Sequence, residues 1–104
     1  MPTTDDLWGG RLTRLVFDPV THVCDMSVVI TLQDGDHYYS LRCDSVSELR
    51  FLNSIPEPWD YAEVTEVYVT SNPATDEKLV EITLWSEDSC LALRCTGFKL
   101  TDLS

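Results

Sequence analysis

A chain of 104 residues with 43% hydrophobic and 10% aromatic content is long enough to bury one core and too apolar to stay disordered. Eighteen Asp and Glu against seven Lys and Arg leave a formal charge of −11, which repels nucleic-acid phosphates and anionic lipid and attracts a basic protein. No apolar run reaches the roughly 20 residues of a membrane span, and the opening MPTTDDLWGG carries acids where a secretory leader is apolar. The expectation is a cytoplasmic protein whose four cysteines stay reduced and serve as small buried apolar residues.

The elements follow in chain order. Leu12-Thr13-Arg14-Leu15-Val16-Phe17 reads as a strand with Leu15 and Phe17 inward, and Pro19 breaks it into the loop DPVTHVCD. VVITL (Val28 to Leu32) alternates with Val28, Ile30 and Leu32 on one face. Gln33-Asp34-Gly35-Asp36 carries the Asp-Gly signature of a tight hairpin. The next strand sets Tyr39, Leu41 and Cys43 inward and Ser40 and Arg42 outward. Val46 to Leu52 suits either a short strand or a helical turn.

Pro56-Glu57-Pro58 then interrupts any regular element, and the scheme repeats. Val64-Thr65-Glu66-Val67-Tyr68-Val69 falls on Leu12 to Phe17, and TSNPATDE (Thr70 to Glu77) falls on DPVTHVCD. VEITLWSEDSCLALRCTGF (Val80 to Phe98) overlays VVITLQDGDHYYSLRCDSV (Val28 to Val46) without a gap, with eight of nineteen positions identical and the two LRC triplets 52 residues apart. Ser86-Glu87-Asp88-Ser89 takes the place of the Asp-Gly turn, and Phe98-Lys99-Leu100 echoes the segment after Cys43.

These patterns predict one all-β domain over 1–104, with little helix and two duplicated antiparallel β-meander halves, about 11–52 and 63–104, joined by the connector 53–62. A meander with one apolar face is unstable alone. The halves are therefore expected to pack as a sandwich or to join in a curved, barrel-like sheet.

Chemistry is sparse. The only histidines are His22 and His37, no cysteine pair has C-x-x-C spacing, and Cys90 and Cys95 face opposite sides of an extended strand, so no metal or cofactor is expected. His22 and Cys24 sit together in the first Pro loop, but no orienting group accompanies them. Four scattered glycines build neither a phosphate loop nor a dinucleotide fingerprint. Carboxylates track the turns. No catalytic residues emerge, and the chain reads as a non-enzyme.

The aromatic residues are more informative. Trp59, Asp60, Tyr61 and Glu63 lie in the rigid acidic connector PEPWDYAEV, and Trp8 occupies the matching start of the first half, where Trp8 and Trp59 suit plugs for the two ends of the core. Trp85 stands where the first half has Gln33, and alternation places it outward, beside Tyr68. Trp85 with Glu87 and Asp88, together with Trp59, Asp60, Tyr61, Glu63 and Tyr68, has the make-up of a protein-binding hot spot with an acidic rim. Arg42 and Arg94 are expected outward and paired with carboxylates such as Glu81 or Asp44.

The succession RLTRLVFD, MSVVITL, YYSLRCDSVSEL, AEVTEVYV, LVEITLWSED and LALRCTGFKL, from about Arg11 to Leu100, resembles the small β-rich proteins of bacterial toxin–immunity systems, in particular the immunity protein 50 family. The resemblance implies a binding protein that neutralises a basic toxin or effector, without direct contact to nucleic acid or membrane. Two other readings stand beside it: a nucleic-acid-mimicking inhibitor of a DNA- or RNA-binding protein, and a small ligand-binding β domain. A homodimer through an edge strand is a further expectation.

Overall fold

The computed structural model describes residues 4–55, 57–85 and 89–103. A single 3₁₀ turn, Thr4–Leu7, precedes eight strands: β1 (Arg11–Asp18), β2 (Val23–Leu32), β3 (Gly35–Asp44), β4 (Glu48–Asn53), β5 (Ala62–Asn72), β6 (Glu77–Leu84), β7 (Ser89–Cys95) and β8 (Gly97–Asp102). The all-β expectation holds, and residues 48–53 settle as strand.

All eight strands join one antiparallel sheet in the order β4-β7-β6-β5-β1-β2-β3-β8. β1-β2-β3 and β5-β6-β7 are the two predicted three-strand meanders. Their fourth strands are exchanged: β4 leaves the first half to pair with β7, and β8 leaves the second half to pair with β3. The chain crosses between halves at two neighbouring points. There Ser47 donates its amide to the Arg94 carbonyl at 2.9 Å and Thr96 donates to the Asp44 carbonyl at 3.2 Å. Gly97 fits this crossing because a Cβ there would lie 2.9 Å from that of Asp44.

The centre of the sheet is its narrowest joint. β1 and β5 pair only through Arg11 with Glu63 and Leu12 with Ala62. Flanking bonds, Gly9 amide to Val64 carbonyl at 2.7 Å and Val64 amide to Gly10 carbonyl at 2.8 Å, extend the joint towards the N-terminus. Each strand bulges just beyond it, at Thr13 in β1 and at Thr65 in β5. The bulge stands at the equivalent position of both strands and turns each away from the joint.

One core unites the halves. Cys24, Met26, Val28, Leu41 and Cys43 from the first half are buried in the same cluster as Val64, Val67, Val80, Ile82, Leu84, Leu91, Leu93 and Cys95 from the second. β7 passes into β8 across Thr96, whose amide donates to the Asp44 carbonyl of β3, although β7 and β8 lie near opposite ends of the strand order, so the sheet bends its apolar face onto itself. Leu32 departs from the predicted pattern: at the tip of its hairpin it passes beyond the core and is exposed.

The Pro loops repeat more closely than the ungapped overlay suggested, and in a different register. Asp18-Pro19-Val20-Thr21-His22 corresponds to Asn72-Pro73-Ala74-Thr75-Asp76, two residues out of step with the spacing of the LRC triplets. In both, the first side chain accepts from the amide two residues on, at 2.8 Å from Val20 and 3.0 Å from Ala74. In both, the last residue takes a left-handed φ, 61° at His22 and 57° at Asp76, and donates its amide to the first carbonyl at 2.9 Å. The second turn is displaced because β5 runs on to Asn72, three residues longer than β1.

Candidate functional site

The joint between halves also places an apolar cavity. Leu7-Trp8-Gly9-Gly10 leads into β1, and Trp59-Asp60-Tyr61-Ala62 leads into β5 at the equivalent position. At the first end Leu7 drops into the core with 1% of its surface exposed. Gly10 is packed so closely that a Cβ would meet Ile30 Cδ1 at 2.5 Å. At the second end Trp59 stands where Leu7 would, only half-buried, and an open groove of about 370 Å³ remains.

Leu12 and Leu15 of β1 form one wall of this groove, and Leu49 and Phe51 of β4 form the other. Leu84 and Leu91, both buried, supply the floor, and the connector residues Trp59, Asp60 and Tyr61 close one end. β4 presents Leu49 and Phe51 because their cross-strand partners are Leu93 and Leu91, which face the core. Phe51 is 54% exposed and Tyr61 is 40% exposed, so the aromatic rim is open to solvent.

Four rings make a continuous chain along this rim. Phe51 meets Trp59 edge to face with centroids 5.9 Å apart, Trp59 meets Trp85 edge to face at 6.0 Å, and Trp85 meets Tyr61 at 5.5 Å with the planes tilted by 38°. Arg11 places its guanidinium carbon 5.9 Å from the Tyr61 centroid. It also donates to Thr31 at 3.1 Å and lies 3.8 Å from Asp36. The indole nitrogens of Trp59 and Trp85 are buried with no acceptor among the described residues, which is costly for an N–H donor. Of the charged lining residues, Arg14 and Asp60 form no ion pair among the described residues.

The predicted site divides on this framework. Trp59, Asp60, Tyr61 and Trp85 come together at the groove. Trp85 is not outward: its backbone adopts a left-handed φ of 53° at the end of β6, held by donation to the Glu63 carbonyl at 3.0 Å. That conformation breaks strand alternation and packs the ring against the core. Tyr68 is not its neighbour. It pairs with Glu81 on the outward face of β5–β6 and carries Trp8 edge to face at 5.7 Å. Trp8 is 40% exposed, with its indole donating to the Val67 carbonyl at 3.3 Å, so the core plug expected there is Leu7 instead. Glu63 and Glu66 flank the β5 bulge beside that outward face, and Glu87 and Asp88 lie outside the described residues.

Sequence reasoning missed Phe51, Leu49 and the β1 leucines as groove residues. Their alternation was visible, but not the exchange that carries β4 to the far side. Arg42 pairs with Asp44 at 3.1 Å and Arg94 with Glu77 at 3.4 Å, both exposed. The His22–Cys24 pair has no reactive thiol, because Cys24 is fully buried and desolvation pushes its pKa up to about 11. Among the described residues no cluster of His, Cys, Asp and Glu suits a metal ion, and no helix is long and apolar enough to cross a membrane. Compared with protein-family models and with curated proteins, the chain matches none.

Proposed function

We propose that this chain is a non-catalytic, cytoplasmic binding module that engages a basic protein, in the manner of the immunity-type proteins its sequence resembles. The observation that carries the reading is the gathering of Trp59, Tyr61, Phe51 and Trp85 at an open apolar groove in a chain of formal charge −11. Aromatic side chains beside an apolar pocket, with carboxylates around them, are the ingredients of an interface hot spot. The acidic surface adds long-range attraction and a faster encounter with a cationic partner.

The test is capture of the partner by tagged protein from its native cell, followed by titration of the purified pair. Asp60→Lys and Glu63→Lys are expected to slow association, and added salt is expected to weaken the complex, since exposed charges are screened beyond about 8 Å at physiological ionic strength. A complex indifferent to salt and to both reversals sinks the reading.

A second reading has its own observation. Glu63, Glu66 and Glu81 lie at or beside the β5–β6 surface that carries Tyr68 and Trp8, and none of the three forms an ion pair among the described residues. Such a row suits a mimic of nucleic-acid phosphates, and Glu66→Gln with Glu81→Gln would then abolish partner binding while Asp60→Lys left it intact. Self-association through β4 or β8, the two end strands, is checked by light scattering on the same preparations.

A further inference from the structure

We propose that the groove between β1 and β4 is a cation site, taking an ammonium or guanidinium group carried on an apolar stem. This deepens the basic-partner reading and rests on it for the identity of the natural ligand: a lysine or arginine side chain of that partner.

Three features of the groove point to this chemistry. Its wall and floor are leucines from four strands, which suit methylene groups and offer a polar head nothing. At its connector end the rings of Phe51 and Trp59 stand nearly perpendicular, at 79°, with Tyr61 and Asp60 alongside. Ring faces set at an angle, with a carboxylate beside them, attract a cation through the aromatic quadrupole and through charge. The molecule already uses one of these rings in this way, since Arg11 lies over Tyr61 at 5.9 Å. The whole-chain charge of −11 raises the local concentration of any cation.

Two cations oppose the assignment: Arg11, which already lies 5.9 Å from the Tyr61 centroid, and one lining residue. Arg14 stands at the β1 side of the groove with no carboxylate partner among the described residues, and it repels a cation there. The favourable position is therefore the end formed by Trp59, Asp60 and Tyr61, and Arg14 supplies an internal control.

The probe is choline, compared with its uncharged isostere 3,3-dimethylbutan-1-ol, titrated into the full chain while the indole resonances of Trp59 and Trp85 are followed by NMR. Choline is expected to shift them with millimolar affinity, at least about fivefold tighter than the alcohol. Tyr61→Phe keeps this preference and Tyr61→Leu removes it. Arg14→Glu, a change at an exposed position, tightens choline by about fivefold or more and leaves the alcohol unchanged. Equal affinity for alcohol and choline, no shift at about 100 mM choline, or indifference to Arg14→Glu overturns the assignment. A captured basic partner unaffected by choline and by Tyr61→Leu overturns it while leaving the partner reading intact. Choline binding without any basic partner supports the site and removes only the partner reading.

Discussion

Trp59 and Trp85, far apart in sequence, meet edge to face with ring centroids 6.0 Å apart, and both indole nitrogens are buried without an acceptor among the described residues. Such a contact contributes about 0.5–1.5 kcal/mol beyond area burial, while an unsatisfied donor costs about 1–3 kcal/mol. At this point the groove rim sacrifices polar satisfaction for aromatic surface. Trp59→Phe keeps a ring and removes an orphan donor, so stability is expected to hold or rise by about 1 kcal/mol in urea denaturation. Trp59→Ala empties the half-buried site and is expected to cost about 2–3 kcal/mol. A loss above about 1 kcal/mol for the phenylalanine variant would show that the N–H is bonded after all.

Gly10 tests the packing of the closed end. Its Cβ would fall 2.5 Å from Ile30 Cδ1, 2.9 Å from Val28 Cγ1 and 3.0 Å from the Leu7 carbonyl oxygen. Gly10→Ala is expected to destabilise by about 1–3 kcal/mol, because two of these atoms belong to the core and the third to backbone. Gly9→Ala next door has open space but a left-handed φ of 81°, so its cost is conformational and about 1 kcal/mol. Thermal denaturation of the two variants separates the mechanisms by size.

The exchange of β4 and β8 makes a prediction about cleavage. A protease site inserted after the exposed Glu57 would cut the covalent link between halves, yet each fragment still supplies the other's end strand. The fragments are expected to co-elute after cutting and to separate only in denaturant. Separation under native conditions would mean that the meanders are independent.

Thiol chemistry should follow burial. Desolvation pushes Cys24 to about 11 and raises Cys43, Cys95 and Cys90 above the ordinary thiol range. Cys24, Cys43 and Cys95 have no exposed surface, whereas Cys90 is partly open on the outward side of β7. A thiol reagent at pH 8 is expected to modify Cys90 alone in the folded state, with the others appearing at the rate of unfolding.

His37 and Asp34 give the pH dependence. Their side chains share a hydrogen bond of 2.9 Å, which raises the histidine and lowers the carboxylate from their ordinary values. The histidine's contribution is fully present below its unfolded value near 6.5 and is lost as pH rises through its raised folded value. The aspartate's contribution is present above its unfolded value near 3.8 and is lost as pH falls through its lowered one. The pair is therefore most favourable between these two ranges. His37→Gln is expected to flatten stability against pH above about 6.5, and an NMR midpoint for His37 at or below 6.5 would contradict the assignment.

Much of the fold was legible because period-two alternation is a local signal. VEITL and LALRC show in their own letters which residues face the core, and Val80, Ile82, Leu84, Leu91, Leu93 and Cys95 are all buried. The repeat was legible in the same way, although its loops matched only once a two-residue slip was allowed. The site was half legible. Trp59, Asp60 and Tyr61 stood out as aromatics among acids in a proline-rich connector, but Trp85 was placed on the wrong face. Alternation assumes extended backbone, and a left-handed φ at one residue reverses the side chain without any mark in the sequence.

By itself the sequence determined most of the strands and of their inward faces, the places of the Pro turns and the acidic surface, all of which follow from each residue's own chemistry and its neighbours along the chain. Tertiary structure alone decided which strand lies beside which. Exchanging β4 and β8 between halves depends on two backbone crossings at Asp44–Ser47 and Arg94–Gly97, where hydrogen bonds join residues distant in sequence. That exchange sets Leu49 and Phe51 opposite Leu12 and Leu15. With Leu7 filling one end of the core and the larger Trp59 only half entering the other, a near-symmetric chain acquires an open groove at its aromatic end.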